Sequence, residues 1–175
     1  MSPKLNLEFV DPSPLRYGEN AHQNATFYKE AHCDEANLGS AKQLHGKALS
    51  FNNIVDGDAA LEMAKEFHQD TAVVIVKHMN PCGLATGKTL KDAFEAAWEG
   101  DPVSAFGSVI AVTQNVDLEA AQFLKGRFVE ILIAPSFDPD ALEFLQNKSK
   151  DIRLLEVGKL EAPMPRKVYK HVIGG

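Results

Sequence analysis

From residue 56 onward, short runs of apolar, β-branched residues alternate with stretches whose apolar positions recur at helical spacing. The run Ala72–Val76 is short enough for a strand buried on both faces. Phe106–Val112, Val129–Ala134 and Ile152–Val157 read as further strands, the third of the four runs being stopped by Pro135. Between them lie predicted helices. One opens at Asp56 and carries Ala59, Ala60, Met63, Ala64 and Phe67 at helical spacing. A second is capped by Thr89, with Asp92 placed to complete a capping box, and runs through Trp98 to a stop at Gly100-Asp101-Pro102. Two more start at Asp117 and Asp138, with Ala120, Ala121 and Leu124 on one and Ala141, Leu142 and Leu145 on the other. Upstream the pattern is weaker. Asn6–Val10 alternates as a short strand, Pro12, Ser13, Pro14 and Gly18 mark an irregular loop to about residue 23, and Thr26–Tyr28 is extended.

Strands alternating with helices predict an α/β layered fold. Sites in such folds collect at the carboxyl ends of strands, which draws attention to the residues just after Val76. Pro81 and Gly83 predict that Lys77–Gly83 is irregular.

Composition narrows the function classes. Hydrophobic residues make up 45%, enough for a buried core, and 24 acidic against 18 basic residues leave a net charge of −6. That balance argues against non-specific nucleic-acid binding, though not against a local basic pocket for a small anion. Two cysteines, Cys33 and Cys82, are too few for a disulfide framework and point to a reducing, cytoplasmic setting. The N-terminus has no signal-peptide pattern, and no apolar stretch is long enough to cross a bilayer, so no membrane partner is expected.

Several segments carry candidate chemistry, each with a structural alternative. In Lys77-His78-Met79-Asn80-Pro81-Cys82-Gly83, ionisable groups directly follow a buried strand. A histidine can take a proton from an attacking amine, and a neighbouring lysine can hold developing negative charge; an ordinary strand end also accounts for both. Cys82 lacks the second cysteine and the His-x-Glu of a zinc deaminase, and a small packed cysteine explains it better than a nucleophile. Gly87-Lys88-Thr89 lacks the preceding glycine of a phosphate loop, and helix capping suffices for it. Leu15–Gln23 is dense in donors, and Arg16 can grip a phosphate in two-pronged fashion or simply be solvated. In Leu44–Asn53, Lys47 can line an anion site and the paired asparagines can cap a helix. Gly107 permits close approach to a ligand or a bulge, and Glu130 is a carboxylate in an apolar run, costly unless paired, solvated or used for binding.

Taken in order, these segments resemble one family. Its members carry Arg-Tyr-Gly-Glu-Asn-x-His-Gln, matched at Arg16–Gln23, and Gly-Lys-x-x-Ser-aromatic-Asn-Asn, matched at Gly46–Asn53. They also carry Val-Lys-His-x-Asn-Pro-Cys-Gly, matched at Val76–Gly83, Asp-Pro-x-Ser-Ala-Phe-Gly, matched at Asp101–Gly107, and a Phe-Val-Glu-x-x-Ile-Ala-Pro strand, matched at Phe128–Pro135. The sequence is similar to the transformylase part of the bifunctional AICAR transformylase/IMP cyclohydrolase family, over nearly the whole chain. The resemblance implies a three-layer α/β/α fold like that of cytidine deaminases, without zinc or any catalytic metal. It implies formyl transfer from 10-formyltetrahydrofolate, as co-substrate, to the 5-amino group of AICAR in purine biosynthesis. His78 would be the general base and Lys77 its charge-stabilising neighbour. Arg16 and Tyr17 would hold the nucleotide, with Gly107, Glu130, Asn80 and Lys47 lining the site. Three positions depart from the common pattern: Ala21 for Pro, Ser108 for Gly, and Met79 for a smaller residue. The resemblance also implies that residues 1–175 form a first subdomain, its site completed by a second subdomain and a homodimer partner, with the cyclohydrolase domain absent. The alternative from another class is a catalytically incomplete nucleotide-binding module.

Overall fold

The computed structural model describes residues 4–165, 167–169 and 172–173; residues 1–3, 166, 170–171 and 174–175 of the expected subdomain lie outside it. A two-stranded ribbon, β1 (Phe9–Pro14) and β2 (Thr26–Glu30), precedes a six-stranded sheet. The sheet is built from β3 (Lys42–His45), β4 (Ala72–Lys77), β5 (Asn80–Thr86), β6 (Ser108–Val112), β7 (Val129–Ala134) and β8 (Arg153–Glu156). Their spatial order is β3-β8-β7-β6-β4-β5. Strands β6, β7 and β8 are parallel, while β4 and β3 flank them antiparallel and β5 pairs antiparallel with β4. The helices are α1 (Phe51–Lys65), α2 (Leu90–Gly100), the single turn α3 (Pro102–Ala105), α4 (Leu118–Phe123) and α5 (Pro139–Lys148).

The strand pleat makes the three layers. Val74, Val76, Val109, Ala111, Ile131, Ile133 and Leu155 pack with Ala60, Leu61 and Ala64 of α1 on one face. Their neighbours Val73, Ile75, Ile110, Val112, Leu132, Ala134 and Leu154 pack against α2, α4 and α5 on the other. Each fully buried Val, Leu or Ile contributes roughly 1.5–3 kcal/mol of apolar transfer energy. The predicted α/β/α layering is therefore what forms, and β7 has the boundaries read from its apolar run.

Three expectations are corrected. First, Lys77–Gly83 is not irregular: it is the turn and first half of β5 in a β4–β5 hairpin. Proline and glycine are tolerated because β5 is an edge strand and Cys82 is an extra residue between the pairs Ile75↔Gly83 and Val76↔Pro81. Gly83 is also a packing requirement, since a Cβ there would stand 2.0 Å from the Ala97 carbonyl oxygen of α2. Second, the first helix starts at Phe51 rather than Asp56: Ser50 caps it, accepting from the Asn53 N–H while the Asn53 side chain accepts from the Ser50 N–H. Third, Pro12 and Pro14 lie within β1, whose irregular register against β2 accommodates them. The Thr89–Asp92 capping box and the Asp117 cap form as predicted.

One buried cation ties the upstream segment to this frame. Lys65, 1% exposed at the end of α1, donates to Glu35 Oε2 at 2.7 Å and to Glu62 Oε1 at 2.9 Å. Burial alone would lower its pKa, and the two carboxylates more than offset this, leaving it above the ordinary lysine value of 10.5. Lys65→Met removes the cation between two carboxylates and is expected to cost roughly 3–5 kcal/mol in urea unfolding at pH 7. Because the folded-state pKa is the higher one, the stabilisation is full below 10.5 and fades as pH rises through the folded value. Wild type and variant should therefore converge in strongly alkaline titrations; a gap that is unchanged there excludes the charge as its cause.

Candidate functional site

The antiparallel pairing of β4 with β6 decides where the candidate residues meet. The carboxyl end of β4 lies beside the amino ends of β6, β7 and β8. Lys77 does sit at a carboxyl end, as expected for β4. At the same end of the sheet, however, stand the heads of the parallel strands: Gly107–Ser108 at the start of β6, Glu130 as the second residue of β7 and Arg153 as the first of β8. The turn after β3, with Lys47, comes to this same end from the opposite edge. From β8 to β4 is three strand spacings, on the order of 14 Å along this end of the sheet.

Glu130 reaches the α1 face by a bulge. Ser108 pairs with Val129 and Val109 with Ile131, so Glu130 is the extra residue between them. A bulge re-aims the side chain it carries. Glu130 Oε2 accepts from Asn53 Nδ2 at 3.1 Å and stands 3.9 Å from Arg153 Nη1. The cost of a carboxylate in an apolar strand is thus offset by an amide donor, a guanidinium and partial solvation. Arg153, 5% exposed, gives Nε and Nη2 to the Ala48 carbonyl at 3.3 and 3.2 Å. Burial lowers its pKa, Glu130 opposes that shift, and the nearby positive charge of Arg16 adds to it.

The Arg16 loop is fastened alongside. The Arg16 N–H donates to the Leu49 carbonyl at 2.9 Å, and the Phe51 N–H donates to the Tyr17 carbonyl at 3.0 Å. The Arg16 guanidinium lies over the Tyr17 ring, 4.9 Å from its centroid, and Nη2 donates to the Tyr17 hydroxyl at 3.3 Å. Lys47 is at this end of the sheet but is paired with Asp151 at 2.9 Å.

At the other end of the line, Lys77 Nζ donates to the Phe106 carbonyl at 2.8 Å. Ser104 hydrogen bonds chiefly hold the Asp101 carboxyl below its usual range, and Lys77 assists. Gly107, at φ +73°, donates its N–H to the Phe128 carbonyl at 2.8 Å, and a Cβ there would press on the Phe128 ring at 3.3 Å. The glycine therefore serves backbone geometry and ring packing. His78 and Met79 form the two-residue hairpin turn at φ +54° and +62°. That left-handed pair ordinarily calls for Asn-Gly, and a non-glycine residue there costs about 1–3 kcal/mol. Asp56 Oδ1 accepts from the Met79 N–H at 2.8 Å, and Asn80 Nδ2 donates to the His78 carbonyl at 2.7 Å, holding the turn in place. Asn80 therefore acts on the turn backbone.

Exposed apolar residues surround this polar end: Phe51, Met79, Phe106 and Phe128. Two clefts lie elsewhere. One, of about 540 Å³, is between α2 and α4 around Trp98, Phe123 and Arg127. The other, of about 560 Å³, lies between the β1–β2 ribbon and α1 and touches the turn only through Met79. Arg16 and His78, at the two ends of the line, are exposed to solvent, while Tyr17, Lys77 and Glu130 between them are half-buried. Among the described residues, no three His, Cys, Asp or Glu side chains are grouped to hold a metal ion.

Over residues 1–175 the sequence matches the AICARFT/IMPCHase bienzyme family. The chain belongs to that family. It is 51% identical over 171 residues to the bifunctional purine biosynthesis protein PurH of Halalkalibacterium halodurans, and 49% identical to that of Bacillus cereus. These alignments cover 98% of this chain and 33% of each relative, so the chain spans a third of their length. Among solved structures, it is similar to a cyanophage S-TIM5 dCMP deaminase (TM-score 0.45, 13% identity, 55% of this chain and 94% of that one). It is also similar to RibD of Acinetobacter baumannii (TM-score 0.43, 18% identity, 57% and 35%). The layering rests on the sheet itself rather than on these likenesses.

Three residues at this end of the sheet do not stand out in the sequence: Ser50, Asn53 in its contact with Glu130, and Arg153. Arg153 carries the same signal as Glu130, a charge at the head of an apolar run. Cys82 is half-buried, its thiol 3.5 Å from the Ile75 carbonyl, and burial pushes its pKa up. A raised pKa leaves less thiolate at neutral pH, so iodoacetamide at pH 7 should label Cys82 more slowly than an unfolded-chain thiol. Labelling at or above the unfolded rate would contradict a packing role. For the turn, replacing His78→Asn together with Met79→Gly should raise unfolding stability by about 1–3 kcal/mol. Equal or lower stability in urea titrations would mean that the wild-type turn carries no strain.

Proposed function

We propose that this chain contributes the formyl-transfer site of its family, moving a formyl group from 10-formyltetrahydrofolate to the 5-amino group of AICAR in the cytoplasm. The observation that carries this reading is the polar line along one end of the sheet, which runs from Arg16 to a strained, exposed His78 beside Lys77. The His78 ring takes the proton as the amine nitrogen bonds to the formyl carbon. The carbonyl electron pair moves onto oxygen, facing the Lys77 ammonium, which keeps two N–H donors beyond its bond to Phe106. Collapse breaks the bond from the formyl carbon to folate N10, and the departing nitrogen takes the proton back from His78. Arg16 and Tyr17 hold the nucleotide. Glu130, braced by Asn53, faces the sugar-and-base region, and no metal takes part.

The open site and its apolar rim of Phe51, Phe106 and Phe128 fit a site that a second subdomain and a partner copy complete. The family description names two activities, so the test includes both. Formyl transfer and IMP ring closure are assayed with this chain alone and mixed with the remaining part of the Halalkalibacterium relative. The expected result is formyl transfer in the mixture that falls by about 10²–10⁴-fold in His78→Ala. Ring closure without formyl transfer, or formyl transfer indifferent to His78→Ala, refutes the proposal. Nucleotide binding with neither activity supports the catalytically incomplete module instead.

A further inference from the structure

The β4–β5 hairpin carries its candidate base at its least supported point. His78 and Met79 lie beyond the last strand pair, Lys77↔Asn80, in the disfavoured left-handed region at φ +54° and +62°. Asn80 Nδ2 donates to the His78 carbonyl at 2.7 Å, but Asn80 belongs to the same hairpin and moves with it. Strand β5 is an edge with an extra residue at Cys82, so strand pairing braces the tip from β4 alone. Among the described residues, the hydrogen bond that ties the turn to another element runs from the Met79 N–H to Asp56 Oδ1, at 2.8 Å. The Met79 side chain adds little, being 57% exposed.

Helix α1 puts Asp56 where it can do this. Asn53 and Asp56 stand three residues apart, so they share one face of the helix. Asn53 Nδ2 donates to Glu130 Oε2 at 3.1 Å, while Asp56 holds the turn. The helix start that carries both is fixed by the reciprocal cap between Ser50 and Asn53. Further along, Ala60, Leu61 and Ala64 are packed against the sheet. The first two turns of α1 therefore form a rigid bar between the head of β7 and the hairpin tip. Asp56 is half-buried and enters no ion pair among the described residues, so its carboxylate is committed to the turn. A carboxylate accepting from a backbone N–H makes a charge-assisted bond, stronger than a neutral one. Stability alone does not call for such an anchor, since glycine at position 79 would relieve part of the strain without it.

We infer that Asp56 is a positioning residue: by holding the Met79 N–H it sets the place from which His78 projects, relative to Glu130. This rests on the proposed function for the reaction that His78 serves; the anchor itself follows from the turn. A reacting group displaced by about 1 Å loses on the order of a hundredfold in rate. The loss falls on turnover rather than on affinity, because Arg16, Tyr17 and Glu130 keep their own supports. Asp56→Asn keeps an oxygen acceptor and loses the charge, so it retains the anchor. Asp56→Ala loses both.

The test follows amide exchange and nitrogen relaxation at His78 and Met79 in this chain, and formyl transfer in the reconstituted mixture, normalised to the folded fraction. In wild type the Met79 amide is expected to be protected and the turn as ordered as the strands. Asp56→Ala should release the turn and lower kcat by about 10–10²-fold, with the KM for AICAR unchanged. Asp56→Asn should restore the order and most of the turnover. Met79→Gly separates positioning from stability, because glycine relieves strain without replacing the anchor. Alone it should keep kcat. Combined with Asp56→Ala it should recover the melting temperature and not kcat. Recovery of kcat together with the melting temperature overturns the inference, as does a turn that stays ordered in Asp56→Ala. If Asp56→Ala fails to fold, the double variant and the wild-type chain still decide, since a wild-type Met79 amide exchanging at the unprotected rate overturns the anchor. A wild-type mixture without formyl transfer removes the proposed function, and the exchange and relaxation data then uphold or overturn the anchor by themselves.

Discussion

Strands β4, β6 and β7 are buried on both faces along nearly their whole length, and this constraint governs where polar chemistry can go. A side chain within such a strand points into α1 or into the α2, α4 and α5 layer, with no third direction. Burying a charge there without partners costs several kcal/mol. Charge is therefore confined to strand ends and to positions where the pleat is broken. Glu130 illustrates the second case: one extra residue in β7 turns a carboxylate out of the core and onto Asn53. Arg153 illustrates the first, at the head of β8. The antiparallel insertion of β4 between β5 and β6 then brings Lys77 and His78 to this same end. A fully parallel sheet would have placed them at the opposite end from Glu130 and Arg153.

The same constraint explains which elements are legible in the sequence. Val129–Ala134 and Ala72–Val76 are legible because two-faced burial writes a continuous apolar run. The helices after Thr89 and Asp117 are legible because their caps are local, and the one after Asp138 because Pro139 opens it and its apolar residues recur at helical spacing, Asp138 itself making no side-chain cap. Strand β3 shows no such run: Lys42–His45 is an edge strand with two exposed residues, held by pairing with β8 more than a hundred residues away. The start of α1 is obscured because Ser50 and Asn53 cap reciprocally without the usual acidic residue, and because Gly57 dilutes the apolar pattern. Pro81 and Gly83 argue for a loop in any one-dimensional reading. Only the edge position of β5 and the bulge at Cys82 make them compatible with a strand. At the site, Arg16, Lys77, His78 and Glu130 are recognisable as parts of ordered motifs, whereas Arg153 is not. Its place beside Glu130, with its guanidinium on the Ala48 carbonyl, exists only in three dimensions.

Several motif residues turn out to act on backbone and packing. Gly83 allows α2 to lie against β5, Gly107 admits the turn over Phe128, and Asn53 closes a capping box as well as meeting Glu130. Asn80 holds the His78 carbonyl, and Asp56 holds the Met79 N–H. The motifs thus record a frame of turns, caps and close approaches as much as a set of candidate functional side chains.

The His78–Met79 turn is where frame and chemistry conflict. Stability alone would favour Asn-Gly in a two-residue turn of this shape, and both native residues sit in a backbone region that side chains disfavour. The cost is sustained by hydrogen bonds from outside the turn, through Asp56 on α1 and Asn80 on β5. Such over-determination is hard to account for if His78 merely ends a strand, because a strand end has cheaper turns available. It is accounted for if an imidazole must project from a rigid hairpin tip, at a set distance from cations three strands away. The strain belongs to His78, while the buried guanidinium of Arg153, held on the Ala48 carbonyl, stands at the other end of the polar line. The strain therefore falls on an exposed, ionisable side chain at a hairpin tip and not on a packed one.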